Sequence, residues 1–421
     1  MTVSAPALRQ RDPRLDFFRG LGMFIIFIAH VPWNWLTLWI PARFGFSDAT
    51  EIFVFCSGMA SALAFGKVFD ERGWGMGVAR VAHRMWQVYW AHIGQILLLV
   101  AGLVALQESG YLQRCCGLTE DYVASLNMRL LFERTGEALP GLFTLTWVPN
   151  YFDILPMYIV ILALLPAVML AAKAGRGAVF ALCGGLWLLA SLGHLSLPAE
   201  PWSDRPWFFN PFAWQLVFFT GFAFMRGWIP APPVDRRLVA LAVAVVVASV
   251  PFAYFRILDG SPALMALRTA IEPLWIKTEF GLLRYVHFLA LAYLAWAAAG
   301  ERGRRLVGHG RLWDGFVRVV QKVGQQSLAV FLASLVLAQT VAILRDMVWG
   351  RGEVWPQILS NLGGFAGLIA VAYTVAWFKS SPWKRPASAR DLLPAGTKTT
   401  RAGPAVGARS GLTGVPASPE R

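Results

Sequence analysis

The sequence predicts an all-α fold, a polytopic integral membrane bundle of about ten transmembrane helices, and three observations support it. Apolar residues make up 57% of the 421-residue chain and charged residues only 15%. Soluble domains contain about 45–50% apolar residues and about 25% charged residues. The apolar residues are gathered in repeated runs of about the 20 residues that cross a bilayer. Basic residues collect in alternate loops between those runs. These observations exclude an ordinary soluble enzyme and a disordered chain.

The predicted spans follow one another along most of the chain. The first run is too long for a signal peptide and no small-residue cleavage site follows it, so we interpret it as an uncleaved span. The ten runs cover residues 17–40, 47–66, 85–106, 153–172, 178–197, 209–225, 238–255, 282–300, 325–344 and 357–378.

Lysine and arginine set the expected orientation. One set of alternate loops, together with both termini, holds 27 of the 38 basic residues, and such residues are retained on the cytoplasmic side. Both termini are therefore expected in the cytoplasm, in a multi-pass protein of the bacterial inner membrane. Eight or twelve spans would also place the termini together. The net charge of +14 is explained by topology, so no nucleic acid partner is expected.

Three regions divide the chain by composition. They are a cytoplasmic N-terminal segment (1–16), a transmembrane domain (17–378) and a basic cytoplasmic tail (379–421) that has little to bury and is expected to be disordered. The loops 107–150 and 256–281 on the opposite side are less basic and long enough to cover a site. The four cysteines are too few and too scattered for a disulfide framework, and no His/Cys spacing indicates a metal site.

The first span carries the most informative residues. Arg19 and His30 are separated by about three helical turns, so they lie on one face, roughly 16 Å apart along the axis. Arg19 would lie at the cytoplasmic boundary and His30 near the middle of the membrane. A buried imidazole is biased to its neutral form, which can accept a proton. A histidine that only hydrogen-bonds a neighbouring helix is an equally weighted alternative. Pro32 breaks the helix and favours a site there.

Two carboxylates follow at the outer start of the second span. Asp48 is a candidate substrate-binding residue, and the plainer alternative is a helix N-terminal anion on the favourable end of the dipole. Glu51 lies one turn deeper and could orient His30, as a carboxylate orients an imidazole in acyl-transfer sites.

These residues carry a family resemblance. Arg19, His30 and the stretch Asp48–Gly58 resemble the opening of the membrane-bound acyltransferase-three superfamily, and the fuller pattern over about residues 10–380 is similar to its OpgC family. The matching stretches are Asp12–Gly20, His30–Asn34, Gly45–Glu51, Thr146–Tyr158 and Asn210–Gln215. The resemblance implies an integral membrane enzyme that O-acylates, especially succinylates, periplasmic glucans. It further implies a cytoplasmic acyl-CoA donor and a histidine used in transfer. Asn34, which lies in one of the matching stretches, is a candidate substrate-binding residue.

Further candidates lie near the ends of later spans. Acyl-CoA is expected to dock on the cytoplasmic side near Arg19 and Arg84, and Arg84 could bind its phosphates. His92 lies two turns deeper than Arg84 and could line the same cavity. Positive-inside anchoring and helix bridging are the plainer alternatives.

The outer ends of the fourth and eighth spans supply the remaining candidates. Trp147, Asn150 and Asp153 combine aromatic faces with a carboxylate, which suits a sugar, although an interfacial aromatic belt explains most tryptophans. Arg284 and His287 are spaced i, i+3, and Arg284 could neutralise the carboxylate of a succinyl group.

The sequence thus predicts an O-acyltransferase that is acyl-CoA dependent, with succinyl-CoA favoured as co-substrate and no bound cofactor. His30, Glu51 and Asp153 are the predicted catalytic residues. The expected partners are acyl-CoA, a glucan or other glycan acceptor and the lipid bilayer, and homo-oligomers are compatible with the sequence. The alternative is a transporter or flippase for an acylated or anionic glycan, which would use the same buried charges as a substrate path.

Overall fold

The computed structural model describes residues 12–383. Within that range the chain is helical and carries no β-strand, only an isolated bridge between Pro198 and Pro206. Among the described residues, contacts divide the chain after Ala376, and the helices that form the site lie before that point. Residues 1–11 of the predicted N-terminal segment, and the predicted tail beyond Trp383, lie outside the described residues.

The α-helices are numbered here in chain order. They are α1 (Pro13–His30), α2 (Ala49–Ser61), α3 (Lys67–Glu108), α4 (Tyr111–Cys116), α5 (Tyr122–Ser125), α6 (Leu130–Glu133), α7 (Thr135–Thr144), α8 (Ile154–Ala174), α9 (Arg176–Ser191), α10 (Pro211–Arg226), α11 (Arg236–Ser249), α12 (Phe255–Asp259), α13 (Pro262–Ala270), α14 (Glu272–Trp275), α15 (Leu282–Ala299), α16 (Arg311–Gln325), α17 (Ser327–Val348) and α18 (Val354–Lys379). Short 3₁₀ turns cover Trp35–Trp39, Pro41–Arg43, Val250–Phe252 and Glu301–Leu306, and a π-helical turn covers Ala62–Gly66.

Each of the ten apolar runs overlaps a helix, namely α1, α2, α3, α8, α9, α10, α11, α15, α17 and α18. In the described part of the chain, 5 helical stretches are long and apolar enough to cross a membrane. They are Ala49–Glu108, Ile154–Ala174, Leu282–Ala299, Ser327–Val348 and Val354–Lys379. The helices are therefore those of a membrane protein, and the count of ten spans stays a prediction.

Helix α1 is shorter at its C-terminal end than the predicted first span. It begins with an Asp12 side chain that accepts from the Arg14 backbone N–H and with Pro13 in the first turn, where the missing N–H of proline removes no hydrogen bond. It ends at His30, because Pro32 cannot continue an α-helix and disfavours helical backbone at Val31. His30 therefore lies at the end of α1 rather than within a span, and 3₁₀ turns replace the predicted continuation.

Helices α2 and α3 form one helical run that changes direction. Gly73 has a φ of 82° inside α3, and the Phe69 ring fills the space where a Gly77 side chain would be. In a straight helix these two residues would be about 12 Å apart, so the chain folds back at Gly73. The predicted loop 67–84 is therefore helical. The arm from residue 74 to 108 is about 52 Å long at 1.5 Å per residue, more than the hydrocarbon thickness of a bilayer.

Small residues allow close helix contacts near the candidate site. A Cβ on Gly58 of α2 would overlap the Phe218 carbonyl of α10, and one on Gly221 would overlap the Phe55 carbonyl. Helix α16 lies in the predicted basic loop 301–322 and packs along α1, where Val317, Val320 and Val323 are fully buried. The two contacts fix α1 and α2 against the rest of the bundle.

A second apolar core lies under the predicted outer loop. The far part of α3, helices α4–α7 and the end of α17 bury a cluster that includes Leu99, Leu126, Trp147 and Ile343. Cys115 and Cys116, which are neighbours in the sequence, form a disulfide bond in this region.

Candidate active site

Several helix ends meet at one end of the bundle, and His30 lies among them. His30 is the last residue of α1, while Asp48 and Asp153 are the N-caps of α2 and α8. Asn210 caps α10 with its side chain, which accepts from the Phe212 N–H. The N-terminus of a helix carries partial positive charge, so this region favours acidic groups.

Two cavities adjoin at this point. The inner cavity has a volume of about 470 Å³ and reaches along α1 to Ile25 and Ile26. The outer cavity has a volume of about 600 Å³ and lies against the segment that follows α1. Both volumes fall in the range of about 300–1,000 Å³ that is usual for small-molecule sites. The residues shared by both walls are Ala29, His30, Ile40, Ala42 and Tyr151.

His30 has the features of a reactive side chain. Its Nδ1 is buried without a hydrogen-bond partner, and no described residue hydrogen-bonds to the ring. Tyr151 lies edge-on to it, with ring centroids 5.6 Å apart. An unsatisfied buried polar atom costs about 1–3 kcal/mol. His30 also lines both cavities, so its ring can be reached from either of them.

A four-residue ion cluster lies beside His30. The Asp48 carboxylate accepts from Lys277 Nζ at 2.5 Å and from Arg284 Nη2 at 3.3 Å. Arg284 Nε donates to Glu51 Oε1 at 2.7 Å, and the other Glu51 oxygen accepts the Asp48 N–H at 2.8 Å. Two cations balance two anions, so the cluster is formally neutral.

These contacts change two sequence predictions. Glu51 closes a capping box at the start of α2 and pairs with Arg284, so in the described structure it does not orient His30. Arg284, predicted to neutralise an acyl carboxylate, is 6% exposed and already neutralised by Glu51 and Asp48. Sequence spacing identified both residues as unusual but could not show that they are each other's partners.

The other predicted carboxylate, Asp153, lines the inner cavity. One of its oxygens accepts the Phe208 N–H at 3.4 Å, and Arg205 and Asn150 line the same cavity. Asp153 and His30 therefore share a cavity, although no hydrogen bond joins them.

His287 and Asn34 have structural partners. The His287 ring lies against Gly45, and its Nδ1 is 2.7 Å from the Ser47 hydroxyl. Asn34 caps the turn after α1 and exchanges hydrogen bonds with Asn361 of α18. Asn34 also lines the outer cavity, and His287 lines neither of the two.

Four further predicted binding residues also line neither cavity. Arg19 is buried and donates to the Cys56 carbonyl at 2.9 Å. Arg84 is partly exposed and hydrogen-bonds Gln87, while His92 and Trp147 are fully buried. The prediction that Trp147 faces a sugar is wrong for this structure, because its indole packs into the core under the outer loop.

The sequence prediction missed Lys277, which lines the inner cavity. In the sequence, Lys277 is one residue of the long loop 256–281. Its placement depends on α10, because Trp214 Nε1 donates to the Lys277 carbonyl and the Asn210 N–H donates to the Thr278 carbonyl. The motif Asn210–Gln215 thus positions this lysine. The sequence signal that could have identified it is a single lysine shortly before the span that carries Arg284 near its start.

Tyr151 and the tryptophans after His30 were also missed as site residues. Tyr151 and Trp33 have positive φ values of 71° and 55°, a strained backbone that concentrates at functional sites. Their aromatic character alone could not distinguish them from an interfacial belt.

Comparison with known proteins assigns the family. No curated protein and no solved structure matches the chain. The family model described as OpgC protein matches residues 11–380, which includes every element of the site. The chain therefore belongs to the OpgC family.

Proposed function

We propose that this protein is an inner-membrane O-acyltransferase that moves a succinyl group from cytoplasmic succinyl-CoA to a hydroxyl of a periplasmic glucan. Family membership supports acyl modification of a glucan. The single observation that carries the proposal is the position of His30 in the common wall of two cavities. A reaction between two substrates needs a base that both can reach.

The proposed reaction is a direct transfer. The neutral His30 imidazole accepts the proton of the glucan hydroxyl as the oxygen attacks the thioester carbonyl. The carbon–sulfur bond then breaks, and the imidazolium returns its proton to the departing CoA sulfur. The ester product, free CoA and neutral His30 balance the step. General-base assistance of this kind contributes about 10²–10⁴ in rate.

The inner cavity suits the acyl group. It combines apolar residues of α1 with one lysine whose side chain is 27% exposed. Lys277 can leave Asp48 and pair with the free carboxylate of a succinyl group. Asp48 then still has Arg284 as its ion-pair partner. The CoA portion would approach from the opposite end of α1, where Arg19 and Arg84 were predicted to act and where Arg84 is partly exposed.

The test is glycan analysis of a strain that carries His30→Ala. We expect acyl substitution of the glucan to fall at least about 100-fold, with the protein still in the membrane and the glucan still present. The mass increment lost from each unit identifies the acyl group. His194→Ala is the matched control, because His194 is exposed and lines neither cavity.

The alternatives predict other results. A transporter or flippase variant would lose the outer glycan itself. A structural subunit would tolerate His30→Ala with full acylation, and that result would refute the assignment.

A further inference from the structure

We infer that the outer cavity is the acceptor site, where a pyranose ring packs on the indoles of Trp33 and Trp35. The inference rests on the proposed function and identifies where its second substrate binds. The lining of the outer cavity supports this inference, because it includes Trp33, Trp35, Thr37, Arg43 and Gln357. The aspartates, arginine and lysine that line the inner cavity are absent from the lining of the outer cavity.

The indoles are exposed toward this space. Trp33 is 66% exposed and Trp35 is 39% exposed. A sugar ring presents C–H groups on its faces and hydroxyls on its edge, so it packs on an indole while its hydroxyls reach polar groups. Thr37, Arg43 and Gln357 supply such groups in the same wall. Two indole faces surrounded by polar side chains are therefore complementary to a sugar ring.

The segment that carries the indoles is held rigidly. The Trp35 N–H donates to Gln357 Oε1 at 2.6 Å, and Asn34 between the two tryptophans pairs with Asn361. Arg345 donates to the Trp33 carbonyl at 3.4 Å, and the Arg351 guanidinium lies 5.1 Å from the centroid of the Trp33 ring.

That rigidity distinguishes a binding site from an aromatic belt. A tryptophan that only anchors a protein at the bilayer interface needs no fixed orientation. Here α17 and α18 fix the backbone around two exposed rings, and Trp33 also keeps a left-handed φ of 55°. Such a conformation costs about 1–3 kcal/mol, and fixing the rings in advance lowers the ordering cost of binding.

The arrangement brings the acceptor to the base. A sugar on Trp33 and Trp35 lies on the opposite side of His30 and Tyr151 from an acyl group in the inner cavity. Its hydroxyl therefore reaches the imidazole from the outer side. Tyr151 is 52% exposed and lines both cavities, so in this arrangement its ring lies between the two substrates.

The test compares two tryptophans of one 3₁₀ turn. Trp35→Ala removes an indole from the outer cavity, whereas Trp39→Ala removes one that is 59% exposed and lines neither cavity. Acyl transfer is measured with purified enzyme in nanodiscs, succinyl-CoA as donor and a linear glucose tetrasaccharide as acceptor. For Trp35→Ala we expect a rise of about tenfold in the KM for the tetrasaccharide, with the KM for succinyl-CoA unchanged. Trp35→Phe should be intermediate, and Trp39→Ala should match the wild type.

A binding measurement separates this inference from the proposed function. Saturation-transfer NMR of the same tetrasaccharide, on protein that carries His30→Ala, should show binding that Trp35→Ala removes and Trp39→Ala keeps. His30-dependent transfer with equal acceptor KM values for Trp35→Ala and Trp39→Ala would overturn the acceptor site alone. Trp35-dependent binding with transfer that survives His30→Ala would overturn the proposed catalytic role while the sugar site stands. Should Trp35→Ala fail to fold, Trp35→Phe and Trp33→Phe must still raise the acceptor KM, and unchanged values would overturn the inference.

Discussion

Two cations beside His30 are expected to have different roles, and their burial shows why. Arg284 has a side chain that is 8% exposed and joins Glu51, which is fully buried, to Asp48. Removing one partner of a buried ion pair costs about 3–5 kcal/mol, because the other charge is left uncompensated. Lys277 is 27% exposed and contacts only one end of the cluster. Its loss leaves Asp48 with Arg284.

The resulting prediction compares Arg284→Gln with Lys277→Gln. We expect Arg284→Gln to lower the thermal unfolding temperature in detergent, whereas Lys277→Gln keeps most stability and loses the preference for succinyl-CoA over acetyl-CoA by about tenfold or more. The measurements are a thermal melt and a competition assay with both donors. Lys173→Gln, at an exposed position that lines neither cavity, is the control that should change neither. Equal melting temperatures for all three variants would contradict the assigned roles.

Helix α2 carries two members of the ion cluster, so its contact with α10 controls the site at the scale of an element. Gly58 and Gly221 let the two backbones touch, as small residues do between membrane helices. Gly58→Ala should therefore separate α2 from α10, lower the melting temperature and reduce acylation together.

The matched control lies on α3. A Cβ added at Gly102 would meet no atom within 4 Å, so Gly102→Ala should be neutral or slightly stabilising, by up to about 1 kcal/mol from helix propensity. Both variants are compared by thermal melting in the same detergent. A Gly58→Ala protein as stable as Gly102→Ala would show that the close contact is unimportant.

At this scale the sequence located helices better than it located their ends. Each predicted span overlaps a helix, because a helix that is buried in lipid or protein needs a run of apolar residues. The predicted helix ends were wrong where an interaction other than hydropathy determines them. Helix α1 stops at His30 because of Pro32, and the charged stretch 67–84 is helical although hydropathy alone interprets it as a loop. Helix α16 was missed for the same reason, because its apolar face covers only one side.

At the scale of the whole molecule, the sequence could predict the residues of the site but few of its contacts. His30, Asp48, Asn150 and Asp153 were found because they lie at span ends, and all four line the inner cavity. Lys277 and Arg205 belong to long connections whose course depends on tertiary contacts, such as the hydrogen bond from Trp214 to the Lys277 carbonyl. Trp147 was misplaced because a buried and an interfacial tryptophan look alike in sequence.

The orientation of the whole molecule gives the last prediction. The side where α2, α8 and α10 begin carries the smaller share of the basic residues, so the outer cavity should open toward the periplasm. Asp204 and Ala231 are exposed residues beside opposite ends of α10. In a background with Cys115 and Cys116 changed to serine, Asp204→Cys should react with a membrane-impermeant maleimide in spheroplasts, while Ala231→Cys should react only after the membrane is permeabilised. Cys56 and Cys183 are buried and should give little background. The reverse labelling pattern would place the acceptor cavity on the cytoplasmic side, and a periplasmic glucan could not then be its substrate.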